Sequence, residues 1–172
     1  MNKQVILDIV AAKKIVPRDG LFDFLDVVAR QKIPLLIFSA GLGDVIEEYL
    51  RSEGKLTFNI HIISNFYHYD AQGKVLGYKG GIIHSFNKNE VEVRDKPYFS
   101  QIQHRPNVIL LGDKVADVEM AQGLAHETIV RVGFLNENVA EQLEEFKRSF
   151  DVVITEDGDM EYVTKLLKLS IR

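Results

Sequence analysis

Apolar residues fall in two rhythms along this chain. Short unbroken apolar runs alternate with stretches in which they recur every three or four positions, the spacing of one helical face. At the amino terminus Ile6, Ile9, Val10 and Lys13 keep helical spacing, predicting a helix to about Lys14. The turn cluster Pro17-Arg18-Asp19-Gly20 leads into an amphipathic helix over 21–30. A strand over 34–38, a helix over 43–52 and a strand over 58–63 make a β-α-β unit, whose crossover is right-handed. A hairpin follows, with arms at 65–69 and 74–79 around the turn Asp70-Ala71-Gln72-Gly73. Strand 108–111, helix 115–123, strand 128–132, helix 137–147, strand 151–154 and helix 159–169 continue the alternation. Such alternation predicts a layered α/β fold with a mostly parallel sheet, into which the hairpin is inserted.

Bulk properties narrow the possibilities. At 172 residues and 46% hydrophobic, the chain is large enough for one domain, 1–172, with a genuine core. It has no cysteine, which excludes a disulfide framework or a thiolate metal site. No apolar run reaches the roughly 18 residues of a membrane span, and no secretory pattern opens the chain, so no membrane association is expected and a cytoplasmic location is. The net charge of −4 leaves no electrostatic footprint for nucleic acid, although a small local site can still take a mononucleotide. His61, His68, His84, His104 and His126 lack the paired spacing of a zinc site.

Candidate chemistry begins where strands stop. The apolar run Val108-Ile109-Leu110-Leu111 ends in Gly112-Asp113, with Asp117 four residues on. The carboxyl edge of a parallel sheet is where α/β proteins bind ligands, and two carboxylates there suit a hard divalent cation such as magnesium. The same letters also fit a helix cap at Asp113 and a solvated first-turn acid at Asp117. The run Leu35-Leu36-Ile37-Phe38 ends in Ser39-Ala40-Gly41 before the helical pattern Val45, Ile46, Tyr49, Leu50. Backbone N–H groups at such a turn form an anion cradle, to which the Ser39 hydroxyl adds a donor; a helix cap is the plainer alternative. Lys88, in Phe86-Asn87-Lys88, is a cation able to neutralise phosphate or to sit in solvent. Asp44 and Asn65 fall near strand ends where either could line a pocket, whereas turn chemistry accounts for Asp70 and Asp95.

The order strand-Ser, Lys, strand-Gly-Asp-x-x-x-Asp resembles the second, third and fourth motifs of the haloacid dehalogenase superfamily of phosphohydrolases. The blocks Ile37 to Glu48, Ile63-Ser64-Asn65-Phe66, Gly77-Tyr78-Lys79-Gly80, Ile83 to Lys88 and Asp151-Val152-Val153 look like cytosolic 5′-nucleotidase III, the pyrimidine 5′-nucleotidase family. A close relative acting on 7-methylguanosine monophosphate shares them. The likeness runs from about Lys14 to about Leu169. It implies a three-layer Rossmann-like fold and magnesium-dependent hydrolysis of nucleoside 5′-monophosphates to nucleoside and phosphate. An aspartate takes the phosphoryl group and a second, two residues later, protonates the leaving oxygen and then activates water. By the same resemblance Ser39, Ala40 and Gly41 bind phosphate, catalytic Lys88 holds phosphate and nucleophile, Asp113 binds Mg2+ and Asp117 supports that site. All of this requires Ser39, Lys88 and Asp113 to converge on one pocket.

Two departures matter. The family's nucleophile motif, Asp-x-Asp-x-Thr, lies well before the serine motif, but no Asp-x-Asp occurs among the thirty-eight residues preceding Ser39. Asp8 is the nearest candidate, and its helical context marks it as a solvent-facing acid; residues 1–16 correspond to the helix leading from the family's cap. The chain therefore reads as a carboxy-terminal portion lacking the nucleophile strand and cap, inactive alone, or else as a non-catalytic binding module. The strands ending at Ser39 and Gly112 would then flank a gap or pair directly. Lys114 is the second departure, since it puts a positive charge beside the proposed cation unless its long stem carries the ammonium outward.

Overall fold

The computed structural model describes residues 1–84, 98–121 and 126–171. They divide into two compact units, one of Met1–Pro17 with Val28–His84, the other of Arg18–Val27 with the chain from Ser85 on. Helix α2 (Leu21–Arg30) passes from the second unit into the first, matching the predicted bounds.

In the first unit, helix α1 (Lys3–Ala11) is capped by Asn2, whose side chain accepts from the Gln4 N–H, and it buries Ile6 and Val10. It ends three residues before the expected Lys14, with Lys13 left-handed at φ 51°. Strand β1 (Leu35–Leu42), helix α3 (Gly43–Ser52) and strand β2 (Ile60–Asn65) form the predicted β-α-β unit, with β1 and β2 parallel and α1 packed against α3. Strands β3 (Tyr67–Tyr69) and β4 (Val75–Tyr78) form the antiparallel hairpin. Its turn follows from Asp70, whose Oδ1 accepts from the N–H groups of Gln72 and Lys74, and from Gly73, whose φ of 78° is costly for any other residue.

The second unit contains a short helix α4 (Phe99–Ile102), which the apolar pattern does not announce, and a parallel three-stranded sheet ordered β5 (Asn107–Gly112), β6 (Thr128–Leu135), β7 (Val152–Thr155). Helices α5 (Val139–Ser149) and α6 (Glu161–Ser170) follow β6 and β7. Phe146 and Phe150, one turn apart, stack at 5.2 Å and close a core with Leu110, Ala121 and Leu135. Gly133 of β6 makes room for them, because a Cβ there would lie 2.7 Å from the Phe150 ring. Each fully buried side chain of this kind contributes roughly 1.5–3 kcal/mol.

Strand β1 pairs with β2 in the first unit, and β5 with β6 in the second.

Candidate functional site

The serine turn is built by a break in register within β1. Phe38 pairs with Ile63 and the next registered pair is Leu42 with Asn65, so Ser39, Ala40 and Gly41 stand opposite Ser64 alone. Such a bulge turns backbone away from the ladder. Three side-chain contacts hold it. The Ser39 Oγ accepts from the Gly41 N–H at 3.0 Å, the Ser64 hydroxyl donates to the Gly41 carbonyl at 2.8 Å, and the Asn65 Nδ2 donates to the Ala40 carbonyl at 2.8 Å. Ser39 is half-buried and Gly41 exposed, and the Ser39 hydroxyl proton stays available for an anion because its oxygen is the acceptor in the turn. Extended structure continues to Leu42, four residues past the expected strand end, and α3 starts directly afterwards with its N-terminal dipole at this turn.

Gly43 permits that abrupt start, since a Cβ there would come within 2.4 Å of the Phe66 ring. Asp44, in the first turn of α3, is committed elsewhere than a pocket. Its Oδ2 accepts from the Tyr67 N–H at 2.9 Å and its Oδ1 from the Tyr69 hydroxyl at 3.0 Å, tying the hairpin to the helix. Burial, reinforced by this bond, pushes the Tyr69 phenol up to about 12. Tyr67, stacked on Tyr78 at 5.0 Å, is also raised, first by its hydrogen bond with Tyr78. Asn65 is likewise occupied: it is buried and bonds Ala40 and both backbone groups of Ile83.

The turn after β5 is held differently. Asp113 and Lys114 are exposed, while Asp117 is 5% exposed in a 3₁₀ helix over Val115–Ala121. The Asp117 Oδ2 accepts from the N–H groups of Asp113 and Lys114, each at 3.1 Å. Asp117 is thus neither solvated nor part of a regular α-helix, and it, not Asp113, does the capping. Gly112 is required by the same packing, because a Cβ would lie 2.7 Å from the Cβ of Asp117. The Asp113 carboxylate is left outward at the carboxyl edge of the sheet, and the exposed Lys114 makes no ion pair among the described residues. Among the described residues no group of three or more acids and histidines converges as a complete metal cage.

Ser39, Ala40 and Gly41 therefore share one turn in the first unit, and Asp113 and Asp117 share another in the second. Lys88 and Asp95 lie outside the described residues. Asp8 is an exposed helical acid that accepts from the Gln4 Nε2 at 2.9 Å. The chain does contain one Asp-x-Asp, Asp157-Gly158-Asp159, but the Asp159 Oδ1 accepts from the Glu161 N–H and so serves the start of α6. Sequence reasoning missed the clamps made by Ser64, Asn65 and Asp44. Their partners lie 18 to 25 residues away in the chain, so no local pattern marks them.

Comparison with known proteins identifies the family. The family described as Pyrimidine 5′-nucleotidase (UMPH-1) matches residues 1–171. The chain is 38% identical to the 7-methylguanosine phosphate-specific 5′-nucleotidase A of Xenopus laevis over 169 residues, 98% of this chain and 58% of that protein. It is 37% identical to the human 7-methylguanosine phosphate-specific 5′-nucleotidase, over 98% of this chain and 56% of that protein. The crystal structure of cytosolic 5′-nucleotidase IIIB bound to cytidine is similar with a TM-score of 0.84 and 32% identity, covering 97% of this chain and 55% of that one. The chain thus spans a little over half the length of these relatives and has the corresponding part of the haloacid dehalogenase fold. A match over all but its last residue shows that the chain belongs to the pyrimidine 5′-nucleotidase family.

Proposed function

We propose that this chain carries the phosphate- and cation-binding part of a magnesium-dependent 5′-nucleotidase that hydrolyses nucleoside 5′-monophosphates, pyrimidine or 7-methylguanosine, to nucleoside and phosphate in the cytoplasm. The observation that carries the proposal is the exposed Asp113 carboxylate, without a hydrogen bond among the described residues, on a turn braced by buried Asp117, in a chain matched to this family over residues 1–171. In this reading Ser39 donates its hydroxyl proton to a phosphoryl oxygen, and the backbone of Ala40 and Gly41 lines the same anion site. Lys88 supplies positive charge to the phosphate and to the attacking group. The donor chemistry suits Mg2+, which is commonly bound through one or two carboxylates together with phosphate and water. Asp113 would hold it and Asp117 would fix the Asp113 backbone. When bound, the cation supplies charge neutralisation for the transferring phosphoryl group. Residues 1–172 act here as a single partial core domain, with 1–16 as the helix leading from the cap.

Because no Asp-x-Asp precedes Ser39, the chain alone is expected to be inactive. The second reading, a non-catalytic binding module, rests on that same absence. Phosphate release from CMP, UMP and 7-methyl-GMP, with and without Mg2+, separates the two. No turnover by the 172-residue chain is expected, with activity restored when a segment carrying Asp-x-Asp-x-Thr is supplied. Turnover by the chain alone, lost in Asp113→Ala, would overturn its inactivity. Failure of any such segment to restore activity would favour the binding module.

A further inference from the structure

We infer that Asn65 is the positioning residue of the anion turn: one buried amide side chain locks the Ser39–Gly41 bulge to the segment at Ile83. The inference rests on the phosphate reading of Ser39. Asn65 ends β2 directly opposite Leu42, where the β1 register resumes after the bulge. It is 7% exposed, so its polar atoms depend on protein partners. Those partners define an amide and nothing else. Nδ2 donates to the Ala40 carbonyl at 2.8 Å and to the Ile83 carbonyl at 2.9 Å, which uses both of its hydrogens, while Oδ1 accepts from the Ile83 N–H at 2.8 Å. Toward Ile83 the side chain behaves as a neighbouring strand would, exchanging one donor and one acceptor. Its remaining hydrogen holds the middle residue of the bulge.

The consequence is directional. A bulged turn has no ladder to set its orientation, and an anion site works only if its donors are fixed before the ligand arrives. Ser64 and Ser39 contact Gly41, but among the described residues only the Asn65 amide grips Ala40 and a segment outside the β1–β2 pair together. An aspartate in its place would turn a carboxylate toward two carbonyl oxygens, and alanine would leave three backbone groups unmatched.

A built-in control lies just before the other end of the same strand. Asn59 is 3% exposed; its Nδ2 donates to the Ile33 carbonyl at 2.8 Å and its Oδ1 accepts from the Thr57 hydroxyl at 2.7 Å. It is as buried as Asn65 and as dependent on side-chain bonds, but it is remote from the bulge along β2.

The experiment is a titration of the 172-residue chain with inorganic phosphate, followed through backbone amide chemical shifts, for the wild type and for Ser39→Ala, Asn65→Ala, Asn65→Asp and Asn59→Ala. Phosphate affinity is expected to fall about tenfold or more in Ser39→Ala and in both Asn65 variants, and to stay within about twofold in Asn59→Ala. Should the Asn65 variants not fold, exchange in the wild type replaces them: saturating phosphate slows the Ile83 amide by about fivefold and leaves the Leu35 amide, bonded to the Asn59 carbonyl, unchanged. Wild-type binding that is lost in Ser39→Ala but kept in the Asn65 variants, or an Ile83 amide indifferent to phosphate, overturns the role of Asn65 and spares the phosphate reading. No binding by the wild type overturns that reading, and the positioning role with it.

Discussion

The serine turn near the end of β1 and the Gly-Asp turn after β5 present their candidate side chains in the same way, toward the carboxyl end of a parallel strand, yet they are braced by different means. The Gly-Asp turn is held from within: Asp117, four residues beyond Asp113, reaches back to two backbone N–H groups. The serine turn, beyond its local Ser39–Gly41 bond, is held from outside by Ser64 and Asn65 on the neighbouring strand. A locally braced turn survives as long as its own few residues do. A remotely braced one depends on the β1–β2 register, so damage to β2 should reach Ser39 without any change near it.

The sharpest test of local bracing is Asp117→Ala. It leaves two part-buried N–H groups without their charged acceptor and should cost about 2 kcal/mol in urea unfolding. Asp117→Asn keeps an oxygen acceptor and should lose roughly half as much. A cost near that of a surface substitution would show that the buried carboxylate does not hold the turn.

Gly43→Ala probes the other turn. A new Cβ within 2.4 Å of the Phe66 ring must displace either the ring or the first turn of α3, at about 2 kcal/mol. The double substitution Gly43→Ala with Phe66→Leu should cost clearly less than the sum of its singles, because the ring that causes the clash is gone. Simple additivity of the two would place the glycine's role elsewhere.

This contrast also explains what could be read from letters alone. The bounds of α2 and α3 and the hairpin turn were legible because their determinants, apolar spacing and the Asp70–Gly73 chemistry, lie within a few residues. The position of Asp113 at a strand end was legible for the same reason, as strand, glycine and aspartate are contiguous. The role of Asp117 was only half legible, since an acid four residues on signals a helix start equally well. The bracing of Ser39 was not legible at all: it arises where two strands with different residue counts are forced back into register. Asp44 misleads in the same manner, because its partners lie in a hairpin 23 and 25 residues downstream.

The hairpin clamp offers a pH test of that remote bracing. The Tyr69 phenol is raised above its unfolded value of 10.0 to about 12, first by burial and then by its bond to Asp44. A raised acid favours folding while it is protonated, so this contribution is full below pH 10 and fades as pH climbs through about 12. Tyr69→Phe should lose about 1 kcal/mol at neutral pH. It should also flatten the fall of melting temperature between pH 10 and 12 relative to the wild type. Parallel pH profiles in the two proteins would remove the Asp44–Tyr69 bond from the stabilising contacts.

Asp113→Asn has the smallest expected effect on the fold and the largest bearing on function. The Asp113 carboxylate is exposed and makes no hydrogen bond or ion pair within the described residues, so no contact among them is lost when its charge is removed. Unfolding free energy should change by no more than about 0.5 kcal/mol. Mg2+ affinity, followed by calorimetric titration of the 172-residue chain, should drop at least about tenfold, because a hard cation loses its charged oxygen ligand. Asp117→Ala should produce the reverse ranking, a large stability loss with weaker Mg2+ binding only as a consequence of the displaced turn. If Asp113→Asn instead destabilises the fold as much as Asp117→Ala, both carboxylates are structural, and a turn braced from within has no exposed group left to offer a ligand.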